Sequence, residues 1–96
     1  MTILGSSRFH DEMIRVEKVL TLRGKVVMLH SPFTRNEHDL LSYNEFRVLS
    51  TTIEEKVRLS DEVVVVNPDG LIGESTGYAI EYAKEHGKKV TYYSDI

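Results

Sequence analysis

Two short loops of this chain carry the residue types that hold anions. One is Gly5-Ser6-Ser7-Arg8. The other spans residues 67–76 and contains Asn67, Gly73, Ser75 and Thr76. Each lies between a strand-like run and a helix-like run, so each is expected to open a helix. The first backbone N–H groups of a helix have no partner within it and carry partial positive charge, which favours phosphate and carboxylate groups. Serine hydroxyls add hydrogen bonds, and Arg8 adds a forked donor matched to phosphate. The pair of loops points to a small phosphorylated or polyhydroxylated ligand. Its candidate contacts are Gly5, Ser6, Ser7 and Arg8 from the first loop and Asn67, Gly73, Ser75 and Thr76 from the second. A glycine followed by serines is also the ordinary makeup of a turn and a cap, so either loop alone is a weak signal. Neither is a G-x-x-x-x-G-K-[ST] phosphate loop, and neither is G-x-G-x-x-G.

Other chemistry is sparse. The chain has no cysteine, which excludes disulfides, thiolate zinc sites and cysteine nucleophiles. His38 and His86 have no metal-ligand spacing, and no metal or other cofactor is expected. His10 follows the first loop and could touch a phosphate or sugar, although a solvent-exposed first-turn histidine explains it equally. Tyr78 and Tyr82 suit packing or an interface. Lys84, Glu85, Lys88 and Lys89 suit a solvated face.

The elements that must position these loops are legible from periodicity. Residues 2–4 form a short apolar strand. Phe9, Met13, Val16 and Leu20 then recur at helical spacing, with Ser6 or Ser7 as cap, Asp11 and Glu12 at the positive end, and Arg23-Gly24 as the stop. Residues 25–29 (KVVML) read as a strand, followed by a polar loop to about His38. Leu40, Leu41, Tyr43, Phe46, Leu49, Ile53 and Val57 fit helical spacing in one or two pieces, with a break expected near Asn44 and Glu45. Residues 62–66 (EVVVV) read as a strand covered on both faces. Ser75 is the expected cap of a helix to about His86, stopped by Gly87, and residues 89–93 form a last strand.

The order βαβαβαβ implies a parallel sheet between helical layers. With right-handed crossovers, the expected fold is a short flavodoxin-like (Rossmann-like) α/β three-layer sandwich with four parallel strands in the order 2-1-3-4. Ligands of such sheets bind beyond the carboxyl ends of the strands where the winding reverses, here between strands one and three. Those are the strands that the two Gly/Ser loops leave.

The 96 residues make one domain, 1–96. Apolar residues are 41% and charged residues 28%, ordinary for a globular protein. A chain this short buries only roughly 60–65% of its unfolded surface, so a partner subunit would help to stabilise it. The net charge of -3, from 15 acidic and 12 basic side chains, argues against nucleic-acid binding as the main activity. No apolar run approaches the ~20 residues that span a bilayer, so no membrane partner is expected. The start of the chain lacks the cationic-then-apolar pattern of a secretion signal, and a cytoplasmic location is the default.

At the loops the chain resembles a known family. Gly5-Ser6-Ser7-Arg8-Phe9 resembles the G-S-[ST]-R-F start of small nucleoside 2-deoxyribosyltransferase-like proteins. Ser60-Asp61-Glu62-Val63-Val64-Val65-Val66-Asn67 resembles their [AS]-D-E-V-x-V-V-N strand. Leu71-Ile72-Gly73-Glu74-Ser75-Thr76, with Ile80-Glu81-Tyr82-Ala83 and Gly87-Lys88, resembles their Y-I-G-E-S-T-x-x-E-I-x-Y-A…G-K segment. The likeness covers most of the chain but little of residues 34–56. It implies cleavage or transfer of the N-glycosidic bond of a 2′-deoxynucleoside or its 5′-monophosphate. A glutamate attacks the anomeric carbon, and the glycosyl ester passes to water or a second base. It implies phosphate contacts at Ser6, Ser7, Arg8 and Ser75. Phe33, in the loop His30-Ser31-Pro32-Phe33, corresponds to a base- or sugar-contacting region; it could stack on a base or cover the core. Subunits of the relatives often complete each other's pockets, which implies a homo-oligomer.

The pattern breaks at the chemistry. The family's nucleophilic glutamate, eight residues before Gly87, is Ala79 here. A second acid, eight residues before Asp61, is Ile53, with Glu54 beside it. Glu81 lies about 200° round the helix from Ala79 and faces elsewhere. Glu74, in the loop that should line the crevice, is the remaining candidate nucleophile. Two readings follow: an N-glycosidase or deoxyribosyltransferase using Glu74, or a non-catalytic nucleotide or sugar-phosphate binder. A structural module of a larger assembly is a third.

Overall fold

The computed structural model describes residues 1–93. Four parallel strands form one sheet in the order β2-β1-β3-β4. They are β1 (Thr2–Gly5), β2 (Met28–Leu29), β3 (Glu62–Val66) and β4 (Lys89–Tyr92). β1 pairs with β3 over its whole length, from Thr2↔Val63 to Gly5↔Val66. This is the α/β sheet, of flavodoxin-like type, that the strand-helix alternation predicts.

The valine run explains how the sheet is held. Alternate side chains of a strand leave on opposite faces. Val64 and Val66 join Ile3 and the buried stripe Met13, Val16 and Leu20 of helix α1 (His10–Leu22). Val63 and Val65 join Leu4 on the other face. There they meet Val57 of α3 (Tyr43–Leu59) and Ile80 and Ala83 of α4 (Glu74–Glu85). Burying each such side chain contributes about 1.5–3 kcal/mol, so the doubly covered strand is the largest apolar contribution to the sheet. Glycines in left-handed backbone close two helices: Gly24 (φ 84°) follows α1 and Gly87 (φ 69°) follows α4. No helix among the described residues is long and apolar enough to cross a membrane.

Four local expectations are corrected. The second strand is two residues long rather than five, because β1 begins at Thr2 and offers Lys25 to Val27 no ladder partner. The carbonyl of Val26 instead accepts the Met1 ammonium at 2.8 Å. The polar loop contains a short helix, α2 (Arg35–Asp39), opened by a reciprocal cap in which Thr34 and Glu37 satisfy each other's backbone N–H. α3 has no break near Asn44 and Glu45. Glu45 is instead the third residue of a second reciprocal cap with Ser42, so the break falls between α2 and α3. Finally, α4 is capped by Gly73 and not by Ser75, which lies inside its first turn.

The C-terminus of α3 is tied to the first strand. Thr2 Oγ1 and Ser60 Oγ lie 2.6 Å apart, and both reach the Lys56 carbonyl, at 3.1 and 2.8 Å. An otherwise unpaired carbonyl of the last helical turn is thereby satisfied.

Candidate functional site

The two Gly/Ser loops meet. A Cβ on Gly73 would stand 4.0 Å from Ser6 Cβ, so the turn after β1 touches the residue that caps α4. A cavity of about 200 Å³ opens where they join. Gly5, Ser6 and Ser7 line it from the first loop, and Gly73, Glu74, Ser75 and Thr76 from the second. It lies beyond the carboxyl ends of β1 and β3, where the winding of the sheet reverses.

Local structure fixes which groups face the cavity. Ser6 caps a 3-10 turn (Ser7–Phe9) that runs directly into α1, its hydroxyl oxygen accepting the Arg8 N–H at 3.3 Å. The Ser6 O–H has no acceptor among the described residues. Ser7 and Thr76 are each 7% exposed, and both line the cavity. Gly73 has no side chain to cap α4, so no cap hydrogen bond occupies the N–H groups of that first turn. Glu74 sits there too and is exposed. Its carboxylate suits the helix dipole and would compete with a bound anion for it.

Three expected contacts lie elsewhere. Arg8 is exposed and is not a lining residue. Successive side chains of a 3-10 turn point about 120° apart, so the turn that buries Ser7 directs Arg8 away. Phe33 lines a separate, apolar groove with Pro32, Leu41 and Val48. Asn67 lies with Val16, Val19 and Tyr93 in a third hollow, against α1.

The positions that the family resemblance assigns to acids are on the cavity, but they hold apolar side chains. Ala79 and Ile53 both line it. Glu54 and Glu81 are exposed and are not lining residues. Glu74 is the one carboxylate on the wall among the described residues.

His30, from the loop that the resemblance assigns to ligand contact, also lines the wall, as do Arg35, His38, Phe46, Leu49 and Ser50, which sequence reasoning did not place there. His30 leaves the end of β2, its N–H donating to the Ile3 carbonyl at 3.0 Å. Lys56 Nζ reaches over from α3 to the carbonyls of Leu29 (2.7 Å) and His30 (3.4 Å). Burial lowers the Lys56 pKa. Burial, and then the Lys56 charge with His38 and His10, lowers the His30 pKa to about 4. The ring is therefore neutral near pH 7. His38 meets the Phe46 ring edge-on, with centroids 4.7 Å apart. Arg35 is paired with Asp39 at 3.3 Å. The Thr34-x-x-Glu37 cap was the available sequence signal for this wall, because it locates α2 and hence Arg35 and His38.

The arrangement can hold an oxyanion on backbone N–H and hydroxyl donors, with imidazoles and an arginine alongside. It presents one carboxylate, Glu74, and the apolar Ala79 and Ile53 to the rest of the cavity. No protein-family model, curated protein or solved structure matches this chain.

Proposed function

We propose that this protein binds a phosphorylated pentose compound, either a nucleoside 5′-monophosphate or the sugar phosphate within it, and does not itself cleave the glycosidic bond. The convergence of the Ser6-Ser7 turn and the start of α4, which has no side-chain cap, on one cavity carries this reading. The volume of about 200 Å³ lies below the ~300–1,000 Å³ of sites that enclose drug-sized ligands. It suits a pentose phosphate, with any base projecting past the rim. Ala79 and Ile53 leave the wall without the acids that the family's reaction uses. Calorimetry with ribose 5-phosphate, deoxyribose 5-phosphate and the deoxynucleoside monophosphates tests it. Binding weakened by Ser7→Ala and Ser75→Ala is expected, and no binding of any of them at millimolar concentration overturns it.

The position of Glu74 favours a second reading, cleavage or transfer of the N-glycosidic bond of a 2′-deoxynucleoside or its monophosphate. The Glu74 carboxylate would attack the anomeric carbon as the base departs with the bonding electrons and gains a proton. Water or a second base would then displace the ester. Release of free base by the native protein, abolished in Glu74→Gln, supports this second reading and overturns the first. Ala79→Glu separates them further: base release acquired only in that variant marks a binding site lacking its attacking carboxylate.

A homo-oligomer and a cytoplasmic location belong to the same proposal. Leu40, Tyr43 and Val48 are 84%, 77% and 67% exposed along the α2–α3 flank. Arg47 and Glu54, two helical turns apart, have no ion-pair partner among the described residues. An antiparallel second copy of α3 would pair them twice. Light scattering that finds only monomer at high concentration refutes the oligomer.

A further inference from the structure

We infer that the imidazole wall of the cavity, His30 at the end of β2 and His38 with Arg35 on α2, is a second recognition surface for the anion, and that an oxyanionic ligand binds together with a proton taken up on this wall. The inference rests on the binding reading above and adds a wall to it that the serine loops do not supply.

The hydrogen-bond inventory is the first support. Nδ1 of His30 and Nδ1 of His38 are both buried, and neither has a hydrogen-bond partner among the described residues. Buried polar atoms are nearly always paired, and two orphans on the wall of one cavity are unusual. Asp39 Oδ1 stands 3.7 Å from His38 Nδ1, too long for a hydrogen bond. An anion seated on the serine turns would lie in the cavity that both rings line.

The charge inventory is the second. His30 faces Lys56 from α3, His38 from α2 and His10 from the start of α1, all of which oppose a positive charge on it. Arg35 and Glu74 complete the charged groups on the cavity wall. Of the nearby acids, Asp39 pairs with Arg35 through Oδ2 while its Oδ1 faces His38, and Glu37 accepts the Thr34 N–H at 2.9 Å. Donors and latent cations thus outnumber counter-charge. In the free protein, burial and repulsion keep the His30 ring neutral. A dianion in the cavity reverses the sign of the local field and draws a proton onto the wall. Linkage then makes affinity rise on acidification, by up to about tenfold per pH unit for each proton taken up.

Calorimetry of the intact protein with sulfate, at about pH 5.5 and about pH 7.5 in buffers of different ionisation enthalpy, reads this directly. Sulfate keeps both charges over that range, whereas a phosphate monoester gains a proton near pH 6, so sulfate reports only the protein's proton. Ribose 5-phosphate, in parallel, reports the proposed ligand class. We expect sulfate to bind about fivefold or more tightly at the lower pH, with buffer-dependent heat showing proton uptake. His30→Gln with His38→Gln should flatten that ratio to within about twofold. The buffer-dependent heat of the native protein stands even if the variants fail to fold. Binding of sulfate and ribose 5-phosphate with no pH dependence and no proton uptake overturns the inference and leaves the binding reading intact. Uptake that persists in the folded double variant also overturns it. No binding of either anion at either pH overturns the inference, and the binding reading falls with it when the deoxynucleoside monophosphates also fail to bind.

Discussion

At Gly5, packing demands the absence of a side chain before any ligand is considered. A Cβ there would stand 2.9 Å from Met13 Sδ and 3.0 Å from the Val66 carbonyl oxygen. The methionine can turn aside, but the strand carbonyl cannot. Gly5→Ala is therefore expected to lower stability by about 1–3 kcal/mol, read from urea denaturation. His30 makes a different residue-scale prediction. Its ring titrates at 6.5 when unperturbed and at about 4 in the folded protein. Between those values the unfolded chain holds the extra proton, so stability falls as the pH drops. The contribution is complete above about pH 6.5 and lost toward pH 4, up to about 3 kcal/mol. Denaturation midpoints of native protein and His30→Gln, compared at steps across that window, should converge as the pH falls. A constant gap would show that the ring is not buried neutral. That Ser6 and Ser7 line the cavity was readable from the loop's composition and place in the fold, but Arg8 was not excludable. Its direction is set by the handedness of a three-residue turn, which composition does not encode.

At the scale of elements, what could be read depended on whether a segment's partners were local. The stripe of α1 needs only its own 3.6-residue period, and it was legible from Phe9 to Leu20. The valine run showed two covered faces because no position in it was polar. The second strand was overcalled: Lys25, Val26 and Val27 are strand-like in type, but their pairing depends on where β1 begins. The break expected near Asn44 and Glu45 lies just before them, between α2 and α3, because Ser42 and Glu45 form a cap rather than an interruption. Ser42 accepts the Glu45 N–H at 3.2 Å, and Glu45 Oε1 accepts the Ser42 N–H at 2.8 Å. Ser42→Ala is expected to cost about 1 kcal/mol in thermal or chemical denaturation, while Ser42→Asp is nearly neutral. Thr34→Ala should cost a similar amount if α2 is held by its cap rather than by packing, since none of its residues is buried.

For the molecule as a whole, the strand order and the place where the winding reverses were readable from the alternation of elements. They located the crevice between β1 and β3. Its far wall was not readable, because α2 and the first turns of α3 reach it through the fold rather than through a motif. The core that holds the sheet is small enough for one truncation to matter. Val65→Ala, at a fully buried position of the central strand, should lower stability by about 2–3 kcal/mol. A loss below 1 kcal/mol, on the same scale, would mean that α4 closes onto the gap.

α3 has a single fully buried residue, Val57, in its last turns. Earlier in the helix, Phe46, Leu49 and Ile53 are half-buried and border the cavity. The rod is thus clamped at its tail, while its front half rests on a hollow. Amides of residues 43–53 should trade hydrogen for deuterium sooner than those near the clamp. Saturation with ribose 5-phosphate should slow that front set selectively. Occupancy would then be recorded as stiffness along one beam, with hardly any displacement of the chain.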